Sequence, residues 1–339
     1  MLIIASIGIS TTEEKIKKII LAGADVLRYN FSYHTIEKNI ELINKTRAVI
    51  ESLNSATKEL IDFPLNKIRL GEFDMGLFSV KEGEELTLQS ATYSPNCNEF
   101  IPVDAQRIGE KVKINQTINL GNGRMSAQIT EVIDINTIKI QILNNGIIKS
   151  RQTFNNGIFI DEEKMFEIYT QILKNIMPLD IELLSISYIS EDFSKKIKGY
   201  IISNYQKTRT KFIIRIEKEI TEAELEKICQ DPFYSIIMLD RGELGVNMPF
   251  EKNGIYQKKV STIAKKMEKR LIISTQILPS ILDNYIPTRS DISDLTNIIL
   301  DGVYGIVLNK ETDVGKRPAY AVYTAKRIIN EVEKYLNNV

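Results

Sequence analysis

The chain has 339 residues, too many for one small domain and about right for one large domain carrying an insertion. Hydrophobic residues make up 43% and charged residues 26%, an ordinary globular composition, with acidic and basic residues equal at 44 each. That balance leaves no overall field to recruit nucleic acid or an anionic membrane, so neither is an expected partner and any anion site must be local. The chain opens on MLIIASI, apolar but without a basic segment and too short to span a bilayer, which reads as a strand and not a signal. Short apolar runs then recur, so that eight stand at residues 2–7, 25–29, 60–63, 181–187, 212–216, 236–239, 271–274 and 305–308. Most are continuously apolar, as strands buried on both faces of a parallel sheet should be. Between them, residues 11–21, 36–53, 221–228 and 316–335 carry helical periodicity, and Thr221 with Glu224 three places on reads as a capping box. Eight strand-then-helix units predict a (β/α)8 TIM barrel.

One connection is anomalous. After the third strand run, residues 70–157 are rich in Asn, Gly and Thr with alternating apolar positions, as in KVKINQTINLGNGRMSAQITEVIDINTIKIQIL. Alternation broken by Asn/Gly turns predicts antiparallel strands, hence a β-rich, barrel-like or sandwich-like insertion of residues 70–157 in a barrel made of residues 1–69 and 158–339. An insertion on a strand-to-helix loop falls on the face that carries the active site in such barrels, which makes it a candidate lid.

The strand ends carry the candidate chemistry. The fifth ends FIIRIEKE, and alternation puts Arg215 and Glu217 on one side, two residues apart. The sixth is followed by LDRGELGVNMP, with Glu243 between Gly242 and Gly245. Glycines there let backbone N–H groups approach a ligand. Glu217 and Glu243, from neighbouring strand ends, make an oxygen site suited to Mg²⁺ or Mn²⁺, and Arg215 beside them suits a phosphate or carboxylate. A structural salt bridge at the rim would use the same residues. The seventh strand ends in Thr275 and Gln276, where a hydroxyl serves a helix cap or a substrate equally well. Asn309, Lys310 and Glu311 follow the eighth. Arg28, Asn30 and Ser32 alternate onto one side after the second, with Tyr33 and the only histidine, His34, beyond them. His34 reads as a surface residue. Without a second histidine, acid–base work at neutral pH falls to His34 itself, to a shifted Lys, Glu or Tyr, or to bound water. Cys97 and Cys229 lie far apart without metal-ligand neighbours and point to a reducing cytoplasm.

Taken together, IIASIGIST, GADVLRYNFSYH, LIDFPLNKIRLGEF, IIRIEKE, LDRGELGVNMP and LIISTQILPSILDNYIPTRSDISDLTNIILDGVYGIVLNKETDVGKRP resemble the pyruvate kinase family, in that family's order and over almost the whole chain. The resemblance implies phosphoryl transfer between phosphoenolpyruvate and ADP, with small-molecule substrate and nucleotide as partners, assisted by Mg²⁺ and usually K⁺. It implies that Glu217 and Glu243 hold the divalent metal and that the Gly242–Glu243 backbone takes the substrate carboxylate. Thr275 is then the substrate hydroxyl and Arg28 the phosphate- and nucleotide-facing arginine. Asn30, Ser32 and Asp62 match potassium ligands, with the Phe63 backbone oxygen as a fourth. Arg151 and Gln152 stand near a nucleotide-contacting lysine, and Asn30 lies on the nucleotide side.

The departures carry equal weight. Arg215 stands where the family has a lysine that meets the transferring phosphoryl group, and Glu243 where it has an aspartate. Arginine keeps the charge but spreads it over a plane. Lys67 stands where many members have a glutamate, and its ammonium could replace the potassium ion. Ile9, Tyr33 and Pro64-Leu65 depart from the pattern on the nucleotide side. The family's C-terminal domain has no counterpart, so a monomer or homodimer is expected. Three readings therefore stay open: a phosphotransferase of altered or low activity, metal-dependent carbon–carbon bond chemistry on pyruvate-like substrates, and a weakly catalytic paralogue that binds a ligand or partner.

Overall fold

The computed structural model describes residues 1–65, 68–121, 125–155, 162–206 and 208–338. Lys67 and the expected boundary at residues 157 and 158 lie outside the described residues. Eight parallel strands close a barrel: Leu2–Ser6, Val26–Asn30, Lys58–Asp62, Leu183–Ser187, Lys211–Ile216, Tyr234–Asp240, Arg270–Ser274 and Gly305–Leu308. The helices that follow them are Glu13–Leu21, Ile36–Ser52, Glu162–Ile176, Glu191–Asn204, Glu222–Gln230, Asn253–Lys266, Arg289–Leu300 and Pro318–Asn337. Helix starts are set locally. Thr12, Thr35, Ser190 and Thr288 each accept a hydrogen bond from a first-turn amide, and Thr221 with Glu224 forms the full capping box.

The barrel interior explains where the site must be. Ile4, Val26, Leu60, Leu183, Ile213, Ile236, Met238, Ile272 and Val307 pack into one cluster inside the strands. Side chains two positions apart share a face of a strand. Stepping by two toward each C-terminal end turns this apolar layer into Ser6, Arg28, Asp62, Ser187, Arg215, Asp240, Ser274 and Asn309. The apolar plug thus gives way to a polar layer at one mouth of the barrel, the end at which such folds place their chemistry.

The second compact unit comprises Asn66–Asp161 together with Gly245–Phe250. Its own core includes Leu88, Ile101, Val103, Ile118, Leu120, Ala127, Ile129, Ile138 and Ile140, all buried. Strands Met125–Asp134 and Thr137–Ile142 alternate buried with more exposed positions and pair antiparallel, as expected of an insertion with one face on a core. Six strands form one sheet, with two further two-stranded ribbons, and among the described residues these do not close into a barrel. Two pairings depart from the antiparallel expectation: Glu85–Ser90 with Ile101–Val103, and Glu72–Phe73 with Tyr93–Ser94, are parallel.

Candidate functional site

The polar layer at the barrel mouth is organised around Asp62, a fully buried carboxylate. Arg28 Nε donates to its Oδ2 at 3.0 Å and Arg28 Nη2 closes on the same oxygen, while Arg215 Nη1 donates to Oδ1. Burial works against ionisation of Asp62, but Arg215 and Arg28 outweigh it and hold the carboxyl below its usual range. Arg215 reaches Asp62 across the fourth strand because that strand presents only serines there. Ser185 is in register with Asp62, and Ser187 with Arg215. The same guanidinium donates from Nη2 to the Phe63 carbonyl at 3.0 Å and to Ser187 Oγ at 2.6 Å, and its Nε lies 3.1 Å from Glu217 Oε1.

From Arg28 the network continues to the other side of the mouth. Its Nη1 donates to Ser6 Oγ at 2.9 Å and to Asn309 Oδ1 at 3.2 Å. Asn309 Nδ2 donates to Thr275 Oγ1 at 2.8 Å, and that hydroxyl donates to Asp240 Oδ1 at 2.8 Å. Thr275 and Gln276 both lie in the left-handed region, at φ 74° and 56°. Arg241 secures that costly turn, donating to the Thr275 carbonyl at 3.0 Å and the Gln276 carbonyl at 2.7 Å while pairing with Asp294 at 2.9 Å.

Beyond Asp62, the carboxylates of Glu217, Asp240 and Glu243 lie within electrostatic reach of one another. Glu217 is buried and is pushed up to about 7, first by burial and then by the charges of Asp240 and Glu243, with Arg215 opposing. Asp62 and Glu217 share Arg215 unequally. Asp62 takes direct hydrogen bonds from two guanidiniums and stays ionised, whereas Glu217, 3.1 Å from the Arg215 Nε and helped by Ser187, also has two like-charged neighbours in Asp240 and Glu243. Such a set suits a hard divalent cation, which would relieve the repulsion. Among the described residues no three His, Cys, Asp or Glu side chains converge closely enough to hold a metal by themselves. A bound ion would therefore draw further oxygens from water or substrate, as Mg²⁺ commonly does.

The sequence-derived residues divide accordingly. Arg28, Asp62, Arg215, Glu217, Glu243 and Thr275 come together at the mouth. Gly242 also meets a packing requirement. Its N–H donates to Asp240 Oδ1 at 3.0 Å, and a Cβ on it would lie 2.8 Å from Thr275 Cγ2. Gly242 thus lets the short helix Arg241–Asn247 lie against Thr275. Asn30 accepts at Oδ1 from the Ser32 N–H at 3.0 Å, a local turn, and Ser32 and His34 are exposed. Arg151, in the second unit, pairs with Glu72 at 3.1 Å and Asp104 at 3.0 Å, and Gln152 Oε1 accepts from the Lys149 amide at 2.7 Å. Sequence reasoning passed over Ser6, Ser187, Asp240 and Arg241. Alternation from Ile236 and Met238 was the signal for Asp240, because the residue two beyond an interior methionine faces inward as well.

Comparison with known proteins gives a consistent result. The family model described as "Pyruvate kinase, barrel domain" matches residues 1–322. A pyruvate kinase of Thermococcus litoralis is 30% identical over 98% of this chain and 70% of its own length. One of Thermotoga maritima is 29% identical over 98% of this chain and 71% of its own length. Two solved Cryptosporidium parvum pyruvate kinase structures superpose with TM-scores of 0.84 and 0.86 at 24% identity, covering 98% of this chain and 69% and 70% of theirs, which establishes the fold. No helix among the described residues is long and apolar enough to cross a membrane.

Proposed function

The chain belongs to the pyruvate kinase family, and on that premise we propose that it is a metal-assisted phosphotransferase acting on phosphoenolpyruvate or pyruvate with a nucleotide, of low activity in the ordinary reaction. The observation that carries both halves of this reading is the state of Arg215. Around it stand the elements such chemistry needs: paired carboxylates for a divalent cation, a hydroxyl, and buried cationic charge. Yet Arg215 is itself built into the scaffold, bonded to Asp62, Phe63 and Ser187 and in ionic contact with Glu217.

Glu217 and Glu243 would hold Mg²⁺ or Mn²⁺, which when bound supplies charge stabilisation at substrate oxygens. Asp240 fixes the Thr275 hydroxyl through its 2.8 Å bond, and Asn309 fixes it from the other side, so that hydroxyl is aimed before any substrate arrives. Arg28 and Arg215 keep Asp62 ionised and lend positive potential to the mouth. The Gly242–Glu243 segment is the proposed contact for a substrate carboxylate. Arg28, Asn30, Arg151 and Gln152 are the proposed nucleotide contacts on family resemblance.

The test is a coupled assay of phosphoenolpyruvate–ADP turnover for the parent, Arg215→Lys, Glu243→Asp and the double variant. A well-placed cation facing developing charge is worth on the order of 10²–10³ in rate. We expect a slow parent and a double variant faster by a factor in that direction. A parent turning over at roughly 1–100 s⁻¹, the range of ordinary kinases, would refute the reading of Arg215. A double variant slower than the parent would point instead to a site tuned for another substrate.

A further inference from the structure

The family implies a monovalent cation, and the residues matched to it do not fit one here. Both Asp62 oxygens are taken by guanidiniums. The Phe63 carbonyl accepts from Arg215 at 3.0 Å, and Asn30 Oδ1 accepts from the Ser32 amide at 3.0 Å. Ser32 is exposed.

What surrounds Arg215 is nevertheless a cation site in its chemistry. Four oxygens face the guanidinium: Asp62 Oδ1, the Phe63 carbonyl, Ser187 Oγ and Glu217 Oε1. They mix carboxylate, carbonyl and hydroxyl, as the donor sets of hard cations do. All four residues are buried. We infer that the Arg215 guanidinium is this chain's own monovalent cation, filling the oxygen nest of Asp62, Phe63, Ser187 and Glu217, so that the protein binds no potassium there. The replacement is covalent and permanent, and it differs from a lysine substitution at residue 67 in using the side chain at the strand end itself.

Charge balance supports the assignment. Asp62 takes hydrogen bonds from both Arg28 and Arg215 and needs no further cation, while the surplus negative charge lies beyond it, with Glu217, Asp240 and Glu243, where the divalent ion is proposed. A potassium ion added beside two guanidiniums would meet repulsion in a site sealed from water. Removing the guanidinium inverts the situation, since it leaves two buried carboxyl groups, a carbonyl and a hydroxyl facing a vacated space.

The inference rests on the barrel-mouth geometry and not on catalysis, so it is tested by binding. The parent is titrated with K⁺ against choline at constant ionic strength, followed by calorimetric melting and by thallium-205 NMR with Tl⁺ as the potassium surrogate. No K⁺-specific shift and no saturable Tl⁺ signal are expected. Arg215→Met should gain a saturable K⁺-dependent rise in melting temperature of about 2–4 °C, together with a Tl⁺ signal. Arg215→Lys, which keeps a charge but reaches fewer of the four oxygens, should gain a smaller one and stands in if the methionine variant does not fold. Saturable K⁺ or Tl⁺ binding by the parent would overturn the inference. So would a folded variant no more responsive to K⁺ than the parent, and the parent measurement decides even if neither variant can be purified.

Discussion

At the scale of single residues, Glu217 shows how a site can hold energy in reserve. Its carboxyl is pushed up to about 7 by burial and by Asp240 and Glu243, against the pull of Arg215. A carboxyl whose folded value exceeds its unfolded value of 4.5 favours the fold when protonated. Its contribution is fully present below about pH 4.5 and is lost as the pH rises through about 7. At pH 8, without metal, the ionised Glu217 should therefore weaken the fold by on the order of 1–3 kcal/mol. Glu217→Gln removes that charge. The metal-free variant is expected to melt above the parent at pH 8, with the gap closing by about pH 4.5, while Mg²⁺ affinity measured by calorimetry falls, and falls further with Glu243→Gln added. A variant less stable than the parent at pH 8 would show that the Arg215 contact outweighs the repulsion. Full Mg²⁺ affinity in the double variant would remove the pair as the metal site.

At the scale of elements, the turn Thr275–Gln276 and the short helix Arg241–Asn247 define each other. The helix carries glycine at 242 although alanine would favour helix by roughly 1 kcal/mol. The reason is the 2.8 Å approach a Cβ would make to Thr275 Cγ2. Gly242→Ala should thus destabilise by about 1–3 kcal/mol through overpacking, despite the better propensity. Thr275→Ser deletes the offending methyl and keeps the hydroxyl. In the double variant the loss should largely disappear, so urea unfolding of the four proteins should give a favourable coupling of about 1 kcal/mol or more. Additive losses would mean that the clash is relieved elsewhere. Sequence alone could not reach this packing role of the glycine. It showed GELG after a strand, a pattern equally suited to close ligand approach, and the contact is with a residue 33 positions away, in the turn just after the neighbouring seventh strand. The strands themselves were legible, because runs such as residues 271–274 are buried on both faces and need no partner to announce them. The parallel pairings inside the insertion were not, since a parallel pair has no connecting turn to mark it. Arg215 and Glu217 were legible as same-side neighbours by alternation. The Arg28–Asp62–Arg215 arrangement was not, because it depends on register across three strands and on the small serines of the fourth.

At the scale of the whole molecule, the barrel closes without help from the insertion. The third strand pairs directly with the fourth, with Leu60 opposite Leu183 and Asp62 opposite Ser185, although some 120 residues separate them in sequence. The insertion has its own buried core, apart from the cluster inside the barrel. Both proposed metal-binding carboxylates, Glu217 and Glu243, belong to the first unit, which runs through Leu244 before Gly245–Phe250 is assigned to the second. The loss of a unit with its own core should therefore leave the other able to fold, whereas an interdependent pair would unfold together. Replacing residues 66–161 by a flexible Gly/Ser linker should give a chain with the far-UV dichroism of a helical barrel and one cooperative thermal transition. Its Mg²⁺ affinity should stay within about tenfold of the parent's, a change of roughly 1.4 kcal/mol or less. Limited proteolysis should cut it first near Gly245–Phe250, the one segment of the remaining chain that loses its unit. An aggregated product, or a soluble one without a cooperative transition, would mean that the barrel needs the insertion to fold. A cooperative product that had lost Mg²⁺ binding would place part of the metal site outside the barrel.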